Sequence, residues 1–137
     1  MPLTFINPDS LGSPRGYSNG VLATAGGRLL FIAGQIGWDE AQQMVSADFV
    51  KQFDRALANL LTVVEAAGGR AESIARIVIY VTDKHEYRRR TREVGESWRA
   101  RLGKHFPAMA LVEVKGLLED AALVEIEGIA VIKSDEH

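Results

Sequence analysis

The segment Val124-Glu125-Ile126-Glu127-Gly128-Ile129-Ala130-Val131 constrains this chain more than any other. Only an extended strand separates its aliphatic residues from its glutamates, because side chains on a strand alternate between faces. Val124 and Ile126 fall on one face, Glu125 and Glu127 on the other. Two carboxylates in an otherwise apolar strand admit two readings. Burial of either demands a partner or a raised pKa, the condition of a general acid or base in a subunit cleft. The bland alternative is a solvated or salt-bridged face near a sheet edge.

The rest of the chain supplies the layer such a strand needs. Phe49, Phe53, Ala56, Leu57, Leu60, Leu61 and Val64 recur at steps of three and four. A helix is therefore expected from about Ser46, capped by Ser46 or Asp48 and ended by Gly68-Gly69. Ile74 to Val81 is a β-branched run suited to a central strand. A second helix is expected with Asp83 or Thr82 as its cap and Glu86 completing a capping box, along the stripe Tyr87, Thr91, Val94, Trp98 and Leu102 to Gly103. Strands follow at Ala108–Val114 and Leu123–Ile132. Upstream, the first fifteen or so residues read as loop, and Val21–Ala25 and Arg28–Ala33 flank Gly26-Gly27 as a β-hairpin with a tight turn. Gly34 marks a bulge or a close backbone approach.

This order is an α+β pattern: a single domain over residues 1–137, one mixed sheet with two helices packed on one face. Ala108, Ala110, Val112 and Val114 alternate with Met109, Leu111, Glu113 and Lys115, so both faces of that strand carry apolar side chains. The face without helices needs a cover, and a second copy of the chain is the simplest one.

Composition narrows the function. Sixteen Lys and Arg against 18 Asp and Glu leave a net charge of −2, which argues against an electrostatic binder of nucleic acid. Without cysteine, thiol nucleophiles, disulfides and cysteine–zinc sites are excluded. No apolar stretch approaches the ~20 residues of a spanning helix. The N-terminus also lacks signal-peptide features, so a cytoplasmic protein without membrane partners is expected. His85, His105 and His137 have no ligand spacing to one another, so no metal is expected. Arg88-Arg89-Arg90-Thr91-Arg92 reads as a solvated helix face or, more sharply, as a phosphate-binding patch.

Several further segments stand in a telling order: Gly16-Tyr17-Ser18-Asn19-Gly20-Val21, Ile32-Ala33-Gly34-Gln35-Ile36, Ala58-Asn59-Leu60, Glu65-Ala66-Ala67-Gly68, Tyr80-Val81-Thr82-Asp83, Phe106-Pro107-Ala108 and Val112-Glu113-Val114. With the last strand, they make the chain from about Asn7 to Val131 resemble the YjgF/RidA family. The resemblance implies a chorismate-mutase-like fold, a homotrimer and small-molecule clefts between subunits. It further implies hydrolysis of reactive 2-enamino and 2-imino acids to 2-keto acids and ammonia, without a metal or organic cofactor.

Carried over residue by residue, the glutamate that orients or deprotonates water is Glu125, and the substrate-binding positions are Tyr17, Ala33, Gly34, Thr91, Met109 and Leu111. Four of these depart from the family's deaminases. Ala33 replaces a serine, Leu111 a frequent cysteine and Thr91 an asparagine. Met109 stands where an arginine holds the substrate carboxylate, and a thioether cannot form that bidentate pair. Arg15 and Lys115 are the cations able to substitute, and the sequence leaves the choice open, as it does the role of Glu127.

The function expected is hydrolysis of a small imine, enamine or related reactive metabolite around Glu125, without an α-carboxylate requirement. A non-catalytic trimer that binds or senses a metabolite is the alternative. A ribonuclease or translation-inhibitor activity, a label some family members carry, ranks last because of the net charge.

Overall fold

The computed structural model describes residues 3–24 and 26–134. Along the chain run β1 (Leu3–Ile6), β2 (Gly20–Ala23), β3 (Arg28–Gln35), α1 (Phe49–Ala66), β4 (Ile74–Val81), α2 (Lys84–Arg89), α3 (Thr91–Leu102), β5 (Ala108–Glu113) and β6 (Val124–Ile132). Four strands form one sheet in the order β3-β6-β4-β5. β6 is antiparallel to both of its neighbours and β5 is parallel to β4, so the sheet is mixed.

The alternation read from the sequence decides how this sheet is covered. Val124, Ile126, Ala130 and Ile132 of β6 and Ile77, Ile79 and Val81 of β4 are buried in one core with Phe53, Ala56, Leu57, Leu60 and Val64 of α1. Each such side chain contributes roughly 1.5–3 kcal/mol when fully buried. α1 begins where expected, with the Asp48 carboxylate accepting from the Lys51 N–H at 3.1 Å. One polar residue sits inside this layer. Gln52 is fully buried, donates to the carbonyls of Ser46 (2.9 Å) and Ala121 (3.0 Å), and accepts from the Leu123 N–H (2.8 Å). It thereby ties the start of α1 to the loop that delivers β6.

The opposite face of the sheet is open in the single chain. Leu29 and Phe31 of β3 are 62% and 70% exposed, too much for large apolar side chains on a finished surface. No helix among the described residues is long and apolar enough to cross a membrane.

Five expectations are corrected. The hairpin across Gly26-Gly27 does not form: β2 pairs with β1, and β3 pairs with β6. The Leu3–Ile6 stretch, expected as loop, is thus a strand whose partner lies fourteen or more residues downstream. Gly26 (φ +99°) turns the chain out of this ribbon, and a Cβ at Gly27 would strike the Val131 side chain. Ala25, expected in the first hairpin strand, lies outside the described residues.

The second helix is two helices, broken at Arg90 (φ −115°, ψ 19°). The Arg90 guanidinium bonds Asp48, Glu86 and Glu93 at 3.0–3.1 Å, so this member of the arginine run is an internal tie and not a solvated face. For the same reason Glu86 bonds Arg89 and Arg90, while Asp83 caps α2 through the His85 and Glu86 N–H groups and Glu113 of β5 accepts from the Lys84 N–H at 3.0 Å.

Replacing Gln52 by Leu removes three hydrogen bonds and leaves two carbonyls and one N–H without partners. The cost expected is about 2–4 kcal/mol in urea unfolding, whereas Gln52→Glu at low pH, where the acid is neutral, should recover part of it.

Candidate functional site

The open face of the sheet carries the two glutamates. Tyr80 stands opposite Glu125 in the β4–β6 ladder, and its hydroxyl donates to Glu127 Oε1 at 2.8 Å. That bond, then burial and the nearby carboxylate charges, hold the Tyr80 pKa above the ordinary phenol value. Glu127 is thus engaged, whereas Glu125 is half-buried and makes no hydrogen bond or ion pair among the described residues.

Beside it the β3 ladder slips between Ile32 and Gln35, which is the expected bulge at Ala33-Gly34. A Cβ at Gly34 would lie 2.7 Å from the Glu125 carboxyl carbon, so glycine here makes room for the carboxylate. The Gln35 amide turns back on the Ala33 carbonyl at 3.0 Å.

The other predicted positions gather on the helix side. Met109 and Leu111 pair with Ile77 and Ile79, whose side chains point into the core. Two adjoining cavities, of about 330 and 260 Å³, share Gly16, Ile79, Tyr87 and Met109. The larger extends over Thr91, Trp98 and Arg99; the smaller opens past Arg15, Tyr17 and Leu111. Burial raises the pKa of the Tyr87 phenol in their common wall. The loop bearing Arg15 and Tyr17 is pinned to β5. The Ser18 hydroxyl donates to the Phe106 carbonyl at 2.6 Å and its N–H to the Pro107 carbonyl at 3.0 Å.

One chain therefore presents two half-sites. Glu125 stands beside Gly34 of the bulge, and Met109 lines the cavities with Tyr17, Thr91 and Leu111, but the sheet separates the groups. Thr91 is exposed at the cavity rim, not turned into the core. Lys115 lies exposed beyond the end of β5. Tyr80, Tyr87 and Arg99 were not predicted as site residues. Tyr80 alternates with buried Ile79 and Val81, yet only the strand register reveals the carboxylates it meets.

His105 is buried and structural, with Nε2 at 2.7 Å from the Ile74 carbonyl, and His85 is exposed at the start of α2. His137 lies outside the described residues. Among those residues no group of three or more potential metal ligands comes together.

Residues 8–132 match the family model described as endoribonuclease L-PSP. A RutC family protein of Pyrococcus horikoshii is 33% identical over 115 residues, spanning 83% of this chain and 85% of that one. The 2-iminobutanoate/2-iminopropanoate deaminase of Escherichia coli is 32% identical over 108 residues, 77% and 80% of the two chains. Among solved structures, the Rid family protein YyfB of Yersinia pestis, described as of unknown function, superposes with a TM-score of 0.86. It is 28% identical, and the match covers 96% of this chain and all of that one.

Two outcomes follow from the open face. The neutral phenol is the form that donates to Glu127, so the Tyr80 bond holds below the ordinary tyrosine pKa and is lost as pH rises through the raised one. By ¹³Cζ NMR, Tyr80 should titrate later in the wild type than in Glu127→Gln; coincident curves would remove the bond. Gly34→Ala should leave the melting temperature nearly unchanged, since a flexible carboxylate can yield, while a crystal structure shows Glu125 displaced.

Proposed function

Since the chain belongs to the endoribonuclease L-PSP family, the YjgF/RidA proteins, we propose that it hydrolyses a small imine or enamine in a cleft completed by a second copy within a homotrimer. The observation that carries this reading is Glu125: an unengaged, half-buried carboxylate beside a glycine bulge, with its neighbour Glu127 held by Tyr80. Such a group suits a general base. Glu125 takes a proton from water as the oxygen adds to the C=N carbon. The resulting carbinolamine then loses ammonia as its C–N bond breaks and the nitrogen gains a proton, so that imine plus water gives carbonyl plus ammonia.

The trimer supports this chemistry geometrically. Glu125 and the Met109 trough lie on opposite faces of one sheet, so a small ligand touches both only when they belong to different chains. Exposed Leu29 and Phe31 flank the glutamate face and offer the apolar contact such an assembly buries. The name of the Escherichia coli relative points to the same class of substrate. This reading leaves nucleic acid aside, since in the arginine run Arg89 and Arg90 are ion-paired with Glu86, Asp48 and Glu93. Binding without turnover is the second reading, favoured by the apolar walls around Met109.

Ammonia release from imines generated by an amino-acid oxidase is the test. Glu125→Gln should lower the accelerated rate about 10²–10⁴-fold while sedimentation still shows three chains per particle. Full activity in that variant would overturn the role of Glu125. Saturable binding of product carbonyl compounds with no acceleration over buffer would establish the second reading.

A further inference from the structure

We infer that Arg15 is the carboxylate-binding residue of the Met109 trough, so that the ligand is an organic anion with an apolar body. This deepens the reading above and rests on its cleft. Met109 occupies the strand position with a thioether, which offers an anion nothing, yet the cavity over Met109 is edged by a residue able to supply a guanidinium, Arg15. Arg15 lines the smaller cavity together with Tyr17, Tyr87, Met109 and Leu111.

The loop that carries it is fastened three residues further on by the two hydrogen bonds from Ser18 to the segment entering β5. Its charge is also available. Arg55, Arg70, Arg89, Arg90, Arg92 and Arg101 all lie within 4.0 Å of a carboxylate. Arg15 has no such partner among the described residues, a freedom it shares with Arg76, Arg88 and Arg99, but of these only Arg15 and Arg99 line the cavities. A guanidinium beside an apolar wall, not neutralised by the protein, favours a carboxylate able to accept its forked N–H groups. Beyond Met109 the trough continues to Trp98 and Val94, which suits a hydrocarbon or aromatic body. The ligand is therefore an organic anion whose carboxylate is held from this loop while its apolar body lies over Met109, in place of the carboxylate-free ligand expected from the sequence. Arg99, at the far end of the larger cavity, is the rival cation.

Calorimetry on the full chain separates these roles with two probes of one shape, 3-phenylpropanoate and its neutral amide. The wild type should bind the acid at least about ten-fold more tightly than the amide, the scale of hydrogen bonds to a charged group. Arg15→Gln should bring the two probes to parity, Arg15→Lys should restore part of the preference, and Arg99→Gln should leave it intact. Arg15 is exposed, so loss of folding does not confuse the result. A preference that survives Arg15→Gln, one that vanishes only with Arg99→Gln, or a wild type that does not discriminate would each overturn the assignment.

The two readings fail separately. An Arg15-dependent preference in a protein that releases no ammonia leaves this inference standing and removes the hydrolase. Glu125-dependent turnover with an unchanged preference in Arg15→Gln does the reverse.

Discussion

A central strand with two unlike faces governs this molecule. β6 is flanked by β3 and β4, so its backbone is laddered on both sides apart from the bulge in β3, and its side chains distinguish one face from the other. Aliphatic residues at 124, 126, 130 and 132 draw α1 onto one face. Glutamates at 125 and 127 keep any helix from covering the other, because an apolar layer there would strand two charges. A one-residue slip of register would exchange these faces and bury both carboxylates in the core, so the helix layer fixes where the glutamates stand. The glycine bulge in β3 is the local adjustment that gives Glu125 its space.

The helix side has its own constraint at Arg90. This residue interrupts what periodicity alone makes a single helix and spends its guanidinium on Asp48, Glu86 and Glu93. The contact with Asp48 matters most, since that carboxylate also caps α1. The Arg90 hydrogen bond is the largest influence holding the Asp48 pKa below its ordinary value. Helix start and helix break are thus joined by one charge network, and α1 and α3 both contribute to the wall of the cavity above Met109, through Phe53 and through Val94 and Trp98. The Ser97 and Arg101 bonds to Asp54 fasten the two helices again at the other end of α3.

How much of this was legible depends on the range of the interaction. The α1 stripe, its Asp48 cap, the β4 run and the split faces of β6 are local patterns, and each appears where the sequence puts it. Pairings that depend on distant partners were not legible. Gly26-Gly27 between two apolar runs has the composition of a hairpin, but β6 takes the ladder edge of β3 and the N-terminal strand takes that of β2. Arg90 sits in a basic run, and nothing local says that Asp48, 42 residues upstream, meets it. The same holds for the site. Glu125 stood out as a carboxylate in an apolar strand, whereas Tyr80 acquires significance only through register with β6.

That separation of local from distant explains how the chain tolerates methionine at position 109. A guanidinium on β5 would be held by the sheet, but a strand position is one of several from which a charge can reach the trough. The loop through Arg15 passes over the same cavity and is pinned at Ser18, so the cation can move from strand to loop without change in the sheet, the helices or the glutamate face. Such a transfer carries a physical consequence. An arginine on an exposed loop loses more side-chain freedom on binding than one packed in a sheet, which weakens the grip on the carboxylate. Methionine, flexible and polarizable, gives the apolar body of the ligand an adaptable wall in return. With the cation proposed on the loop, recognition in this trough would rest less on the charge of a ligand than on its apolar body.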